Sequence, residues 1–112
     1  MILQQLDLKT DIINVPEWLD DQGQPMNINL RALGGAERDK WESELRDKDG
    51  NINMDNIRAR FLVLSIVDDQ GKLVFTPDNA PALGEKSGDV LARLYNAANK
   101  LNYPDLDNIS KN

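Results

Sequence analysis

The chain has 112 residues, 40% hydrophobic and 29% charged, and its nineteen acidic against thirteen basic side chains give a net charge of −6. That length fits one domain around one core, and the acidic balance works against contact with phosphate backbones, so no nucleic-acid partner is expected. Neither cysteine nor histidine is present, which removes disulfides, thiolate nucleophiles, cysteine-based zinc sites and imidazole relays.

In chain order, residues 1–8 are too short for more than a marginal helix or an arm. Residues 9–15 carry the apolar pair Ile12-Ile13 and Val15 and predict a strand that Pro16 closes. Met26, Ile28 and Leu30 alternate with Asn27, Asn29 and Arg31, the period of a half-buried strand. Asp20-Asp21-Gln22-Gly23 between them is a turn cluster, so the economical reading is a β-hairpin with one buried face. Trp18, beside that turn, either covers the open end of the hairpin or anchors a partner.

Gly34-Gly35 leads into a charged helix over residues 36–46, where Arg38, Trp41 and Leu45 share a face and Glu42 and Arg46 are spaced to pair. Residues 57–67 (IRARFLVLSIV) are the most apolar stretch and are read as the central helix, capped near Asn53 or Asp55. Ile57, Phe61, Leu64 and Val67 make its stripe, and Leu62, Val63 and Ile66 broaden it. A helix this apolar needs neighbours on several sides, or leaves one side to a partner; Leu62 and Ile66 are the candidates for such a side.

Residues 73–75 predict a short third strand, and Thr76-Pro77-Asp78 signals another helix start. Ser87 caps a last helix bearing Val90, Leu94, Ala97, Ala98 and Leu101 at helical spacing, and Tyr103-Pro104 stops it. The expected layout is an arm over 1–8, a single α+β domain over 9–103 with the N-terminal hairpin packed on three to four helices, and a polar tail over 104–112. In that tail only Leu106 and Ile109 offer apolar side chains for docking. No internal repeat is evident. No run approaches the ~20 apolar residues of a membrane span and no secretory signal is visible, so a cytoplasmic chain with no membrane partner is expected.

Three motifs invite chemistry, and each fails a physical test. Asp47-Lys48-Asp49-Gly50-Asn51 opens like a calcium-binding EF-hand loop. Its sixth place, where glycine makes the sharp turn, is Ile52, and its twelfth, where a bidentate glutamate belongs, is Arg58. The acid pairs Asp20-Asp21 and Asp68-Asp69 each sit beside a glycine turn without a second cluster. Gly34-Gly35 lacks the lysine and the fuller glycine pattern of a phosphate loop. The expectation is therefore a chain that is not an enzyme and takes no metal or cofactor.

Taken together, the punctuation resembles the tail assembly chaperones of bacteriophages with long, non-contractile tails. The resemblance rests on Val15-Pro16-Glu17-Trp18, on Leu33-Gly34-Gly35-Ala36-Glu37-Arg38-Asp39, and on Asn56-Ile57-Arg58-Ala59-Arg60 running into the apolar stretch. It continues with Asp68-Asp69-Gln70-Gly71-Lys72 and Phe75, then Leu83-Gly84-Glu85-Lys86-Ser87 and Leu101-Asn102. It spans about residues 10–103. Two departures stand out: family members often carry threonine or serine where Gly34 stands, and the loop after Trp18 is longer and more acidic than the usual glycine-rich turn.

The resemblance implies a non-enzymatic protein, absent from the mature virion, that binds and solubilises the tape measure protein and promotes assembly of the tail tube around it. It implies the tail tube protein as a second partner, through a longer form made by a translational frameshift, with this chain as the short form. It brings no binding site residue by residue. The candidates for partner contact are those named from the residues themselves: Trp18, Leu62, Ile66, Leu106 and Ile109.

Overall fold

The structure, a computed structural model, describes residues 1–104. Its α+β fold begins with a 3-10 turn over Ile2–Gln4 and a hairpin of β1 (Thr10–Leu19) and β2 (Pro25–Arg31). The hairpin is antiparallel and pairs Thr10 with Arg31 through to Val15 with Met26. Val15, Ile28 and Leu30 point into the core, while Ile12 lies on the other face. Contrary to the sequence reading, Pro16 does not close β1, which runs on to Leu19. β1 is an edge strand, and the register slips between Val15 and Leu19. Proline, with no N–H to give, is tolerated at such a place.

The apolar stretch divides into two elements. Helix α2 covers Ile57–Ser65, and Ile66–Val67 form β3, which pairs antiparallel with β2 as Leu30 with Ile66 and Asn29 with Val67. The expected helix over 57–67 is therefore two residues too long. Two adjacent β-branched side chains favour extended backbone, and β2 supplies an open ladder beside them. The strand expected over 73–75 reduces to a single bridge, Val67 with Leu73, and the third strand of the sheet comes from the end of the apolar stretch.

Neither Asn53 nor Asp55 caps α2. Asn56 does, in the left-handed region at φ 50, a conformation asparagine tolerates better than most residues. Its Nδ2 donates to the Ala80 carbonyl at 2.8 Å, which ties the start of α2 to helix α3 (Ala80–Leu83). A Cβ on Gly84 would overlap that same amide. Gly84→Ala is expected to lower the melting temperature in the wild-type background and to do so less in an Asn56→Gly background, where the overlapped amide is gone and the positive φ is retained. Equal losses in the two backgrounds would show that the amide is not what Gly84 accommodates.

A local motif recurs three times. In Asp20–Gln24, Asp47–Asn51 and Asp68–Lys72 the first aspartate accepts, through one Oδ1, from the N–H groups two and four residues on. In each, the aspartate's own N–H bonds the carbonyl of the fifth residue, and the glycine at the fourth place (Gly23, Gly50, Gly71) has φ of 77, 82 and 80. These are tight turns closed by a left-handed glycine. The pattern Asp-x-x-Gly-x is readable in the sequence, and it gives the calcium-like segment a structural role: Asp47 organises its own turn.

Helix α1 (Gly35–Glu44) buries Trp41, and helix α4 (Gly88–Asn102), capped by the Ser87 hydroxyl accepting from the Val90 N–H, buries Val90, Leu91, Leu94 and Ala98. They close on α2 around Phe61, whose ring lies 5.0 Å from Trp41 and 5.7 Å from Tyr95. The expected Glu42–Arg46 pair does not form, because α1 ends before Arg46, which donates to the Gly50 carbonyl instead. Glu42 pairs with Arg38 at 3.2 Å and accepts from the Tyr103 hydroxyl at 2.5 Å. Glycine at position 34 has no side chain to cap with, but its N–H donates to Glu37 Oε1 at 3.0 Å, half of a capping box.

Two polar side chains join these parts from inside. Arg31 forks onto both oxygens of Glu37 at 2.9 and 2.8 Å and reaches the Leu64 carbonyl at 3.0 Å, linking β2, α1 and α2. Asn102, buried at the end of α4, accepts from the Leu33 N–H and donates to the Ala98 carbonyl, both at 2.8 Å.

Candidate partner-binding groove

Where β3 stops at Val67, the chain turns away through Asp68–Lys72 and leaves one flank of β2 uncovered beyond Asn29. A groove of about 630 Å³ opens there. Trp18, Met26, Ile28, Ile66, Val74, Phe75 and Leu83 supply its apolar lining, and Glu17, Asp68, Asp69 and Lys86 stand at it as charges. The combination of an apolar interior, few charges and an adjacent sheet edge suits an apolar polypeptide segment better than a small polar substrate.

Of the five side chains singled out in the sequence, the groove brings two together. Trp18 is half-buried and packs on the core while lining the groove. Ile66 lines it from β3 with only 3% of its surface exposed. Leu62 is 0% exposed, enclosed by the core, so no partner reaches it without opening the fold. The central helix has no bare side at that position, because the sheet and α4 cover what the helix alone would leave open. Leu106 and Ile109 lie outside the described residues.

Sequence reasoning missed the other half of the lining. Val74 is 52% exposed; reading residues 73–75 as a strand concealed it. Met26 was assigned to the hairpin's buried face, and Leu83 carried no signal beyond its place in a family pattern. Outside the groove, Ile2, Leu3 and Leu6 stand exposed before β1.

Electrostatics fix the rim. Glu17 and Arg93 make a two-pronged contact at 3.0 and 2.6 Å that fastens the irregular end of β1 to α4. Hydrogen bonds from Arg93 hold the Glu17 carboxyl well below its ordinary 4.5, at about 2. Glu37 is lowered by Arg31, Glu42 by the Tyr103 hydroxyl and then Arg38, and Asp68 by the backbone N–H groups of Lys72 and Gln70. Burial, and then the Glu42 carboxylate, push the Tyr103 hydroxyl up. Each lowered carboxyl gives up its proton more readily folded than unfolded. Its contribution to stability is therefore full above the group's ordinary value and is lost as pH falls through its lowered one, which for Glu17 is about 2. A melting temperature that falls steadily from pH 5 to pH 2 is expected, and Glu17→Gln should flatten the most acidic part of that profile.

Among the described residues no group of three or more histidine, cysteine, aspartate or glutamate side chains is placed to hold a metal ion. No described helix is long and apolar enough to cross a membrane. The groove offers an apolar place to bind.

No family model matches the chain, and no curated protein matches it. Among solved structures, that of the bacteriophage HK97 tail assembly chaperone is similar over 88% of this chain and 85% of that one, at 22% identity and a TM-score of 0.60. With the hairpin, the divided apolar stretch and the groove already described, that match leads to one conclusion about architecture: this chain has the fold of a phage tail assembly chaperone.

Proposed function

We propose that the chain is a tail assembly chaperone of a bacteriophage or prophage with a long, non-contractile tail, acting in the host bacterial cytoplasm. It binds the tape measure protein, keeps that long chain soluble, and promotes polymerisation of the tail tube protein around it. It acts by reversible protein–protein contact, without chemistry, and leaves before the virion is complete.

The observation that carries this reading is the shared fold over nearly the whole of both chains. The groove supports it physically. A holdase needs an apolar place for its client and a surface that stays soluble while holding it. The apolar groove on a chain of net charge −6 supplies both. Trp18 and Ile66 line the client site in this reading. Contact with the tail tube protein, directly or through a longer frameshifted form, completes the proposed set of partners.

Quantitative mass spectrometry of infected-cell lysate and of purified virions tests the role. The chain should be abundant in the lysate and missing from virions. Recovery in virions at a fixed copy number would make it a structural component and overturn the chaperone reading.

A further inference from the structure

The long outer edge of the sheet is β1. On the far side β3 has two residues and is itself met by Leu73 and by Val74, whose N–H donates to the Ile66 carbonyl at 3.2 Å. β1 has ten residues, with β2 on one side and, among the described residues, no strand on the other. Across the hairpin the Ala32 N–H donates to the Lys9 carbonyl at 2.8 Å. The alternation of an antiparallel ladder then turns the peptide groups of Asp11, Ile13 and Val15 toward β2, and those of Thr10, Ile12 and Asn14 to the open side. Pro16 is the next outward position.

An edge of this kind invites another strand. Residues 10–15 (TDIINV) are rich in β-branched side chains, and Asp11 is the only charge between Thr10 and Pro16. Ile12 is 64% exposed. That composition favours stacking of like segments into a growing sheet.

Yet two of the four outward donor positions are out of use. The Ile12 N–H donates at 2.8 Å to Oδ1 of Asp11, its own neighbour. Pro16 has no N–H to give. These two alternate with Thr10 and Asn14, so an incoming strand never meets two successive donors. To reach the Ile12 N–H, an incoming carbonyl must displace a carboxylate, which is the stronger acceptor. Beyond Pro16 the edge is closed in another way: the register slips, and Glu17 is fastened to Arg93 of α4 at 3.0 and 2.6 Å.

We propose that Asp11 and Pro16 close the outer edge of β1 to strand addition, and so decide where extended polypeptide can bind this chain. A protein that handles apolar polypeptide and leaves such an edge open would be zipped into a sheet by it. The guard is a hydrogen bond made within the strand and a missing donor two positions beyond Asn14, not bulk. The inference goes beyond the chaperone reading and rests on the hairpin alone. The purified chain tests it, so failure of the client reading leaves the test intact.

Thioflavin T fluorescence of the concentrated chain, incubated well below its melting temperature, is the readout. Association of folded copies by other surfaces leaves the dye dark. The wild-type chain should stay dark, and Asp11→Ala/Pro16→Val should become bright and sediment, while its melting temperature before incubation matches the wild type. Asp11→Asn/Pro16→Val keeps an Oδ1 acceptor for the Ile12 N–H and should lag far behind the alanine pair. A bright wild type, a dark alanine pair, or an asparagine pair as fast as the alanine pair would overturn the proposal. Should Pro16→Val fail to fold, hydrogen exchange in the wild type and in Asp11→Ala decides it. The Ile12 amide should be protected relative to the Thr10 and Asn14 amides, which share its edge, and Asp11→Ala should remove roughly tenfold or more of that protection. An Ile12 amide no better protected than its two neighbours would overturn it.

Discussion

Phe61→Ala should destabilise the chain by about 3–5 kcal/mol, the range for removing a buried aromatic side chain from a core. Its ring is 1% exposed and sits between Trp41 and Tyr95, with centroids 5.0 and 5.7 Å away. Those neighbours come from α1 and α4, so the cavity would open where the three helices meet. Neither neighbour fills it freely. Trp41 also lies under the Arg60 guanidinium, and Tyr95 packs from the long helix α4, whose buried face is pinned by Val90, Leu94 and Ala98. A loss of this size is a large share of the ~5–15 kcal/mol that holds an ordinary domain. Urea unfolding read by circular dichroism measures it. Leu64→Ala is the matched control: Leu64 is on the same helix but only partly buried, so its loss should be clearly smaller. Equal losses would mean that α2 is not oriented as described.

Asn102→Leu should cost about 1–3 kcal/mol, the penalty for leaving a buried polar group without its partner. The size of the side chain is nearly kept, so the effect is not one of volume. What changes is that the Leu33 N–H, between β2 and α1, loses the Asn102 carbonyl oxygen that accepts from it at 2.8 Å. The Ala98 carbonyl loses a donor as well. A distinctive readout accompanies the stability loss. Hydrogen exchange at the Leu33 amide should accelerate far more than exchange in α2, because the end of α4 no longer fastens the start of α1. Uniform acceleration would point to general weakening instead.

Most of the architecture was legible because local chemistry and global packing agree. The alternation from Met26 to Leu30 marked a strand, Ser87 marked a helix start, and the helical spacing from Val90 to Leu101 marked the buried face of α4. The failures came where tertiary context overruled a local signal. Ile66-Val67 continue an unbroken apolar run, and only the open ladder of β2 decides that they leave the helix. Pro16 looks like a stop, and only its place on an edge strand lets β1 pass through it. Asn56 caps α2 because Ala80, 24 residues on, offers its carbonyl.

The groove was half legible for the same reason. Trp18 announced itself by its chemistry, but Val74 becomes groove lining only once residues 73–75 fail to make a strand. Leu62 looked available while α2 was imagined alone, and the sheet and α4 enclose it. The recurring Asp-x-x-Gly-x turn was readable throughout. Each copy taken singly reads as an acid pair or a failed calcium loop, and only the three together show a turn motif.

The most direct measurement is the soluble fraction of the tape measure protein when expressed alone, with the wild-type chain, and with the Val74→Glu variant. The proposed function, with its client in the groove, requires that the tape measure protein be insoluble alone, soluble and co-purifying with the wild-type chain, and insoluble again with the folded variant. A tape measure protein that stays insoluble beside the wild-type chain would contradict the chaperone function itself, and one held equally well by Val74→Glu would contradict the groove as its site.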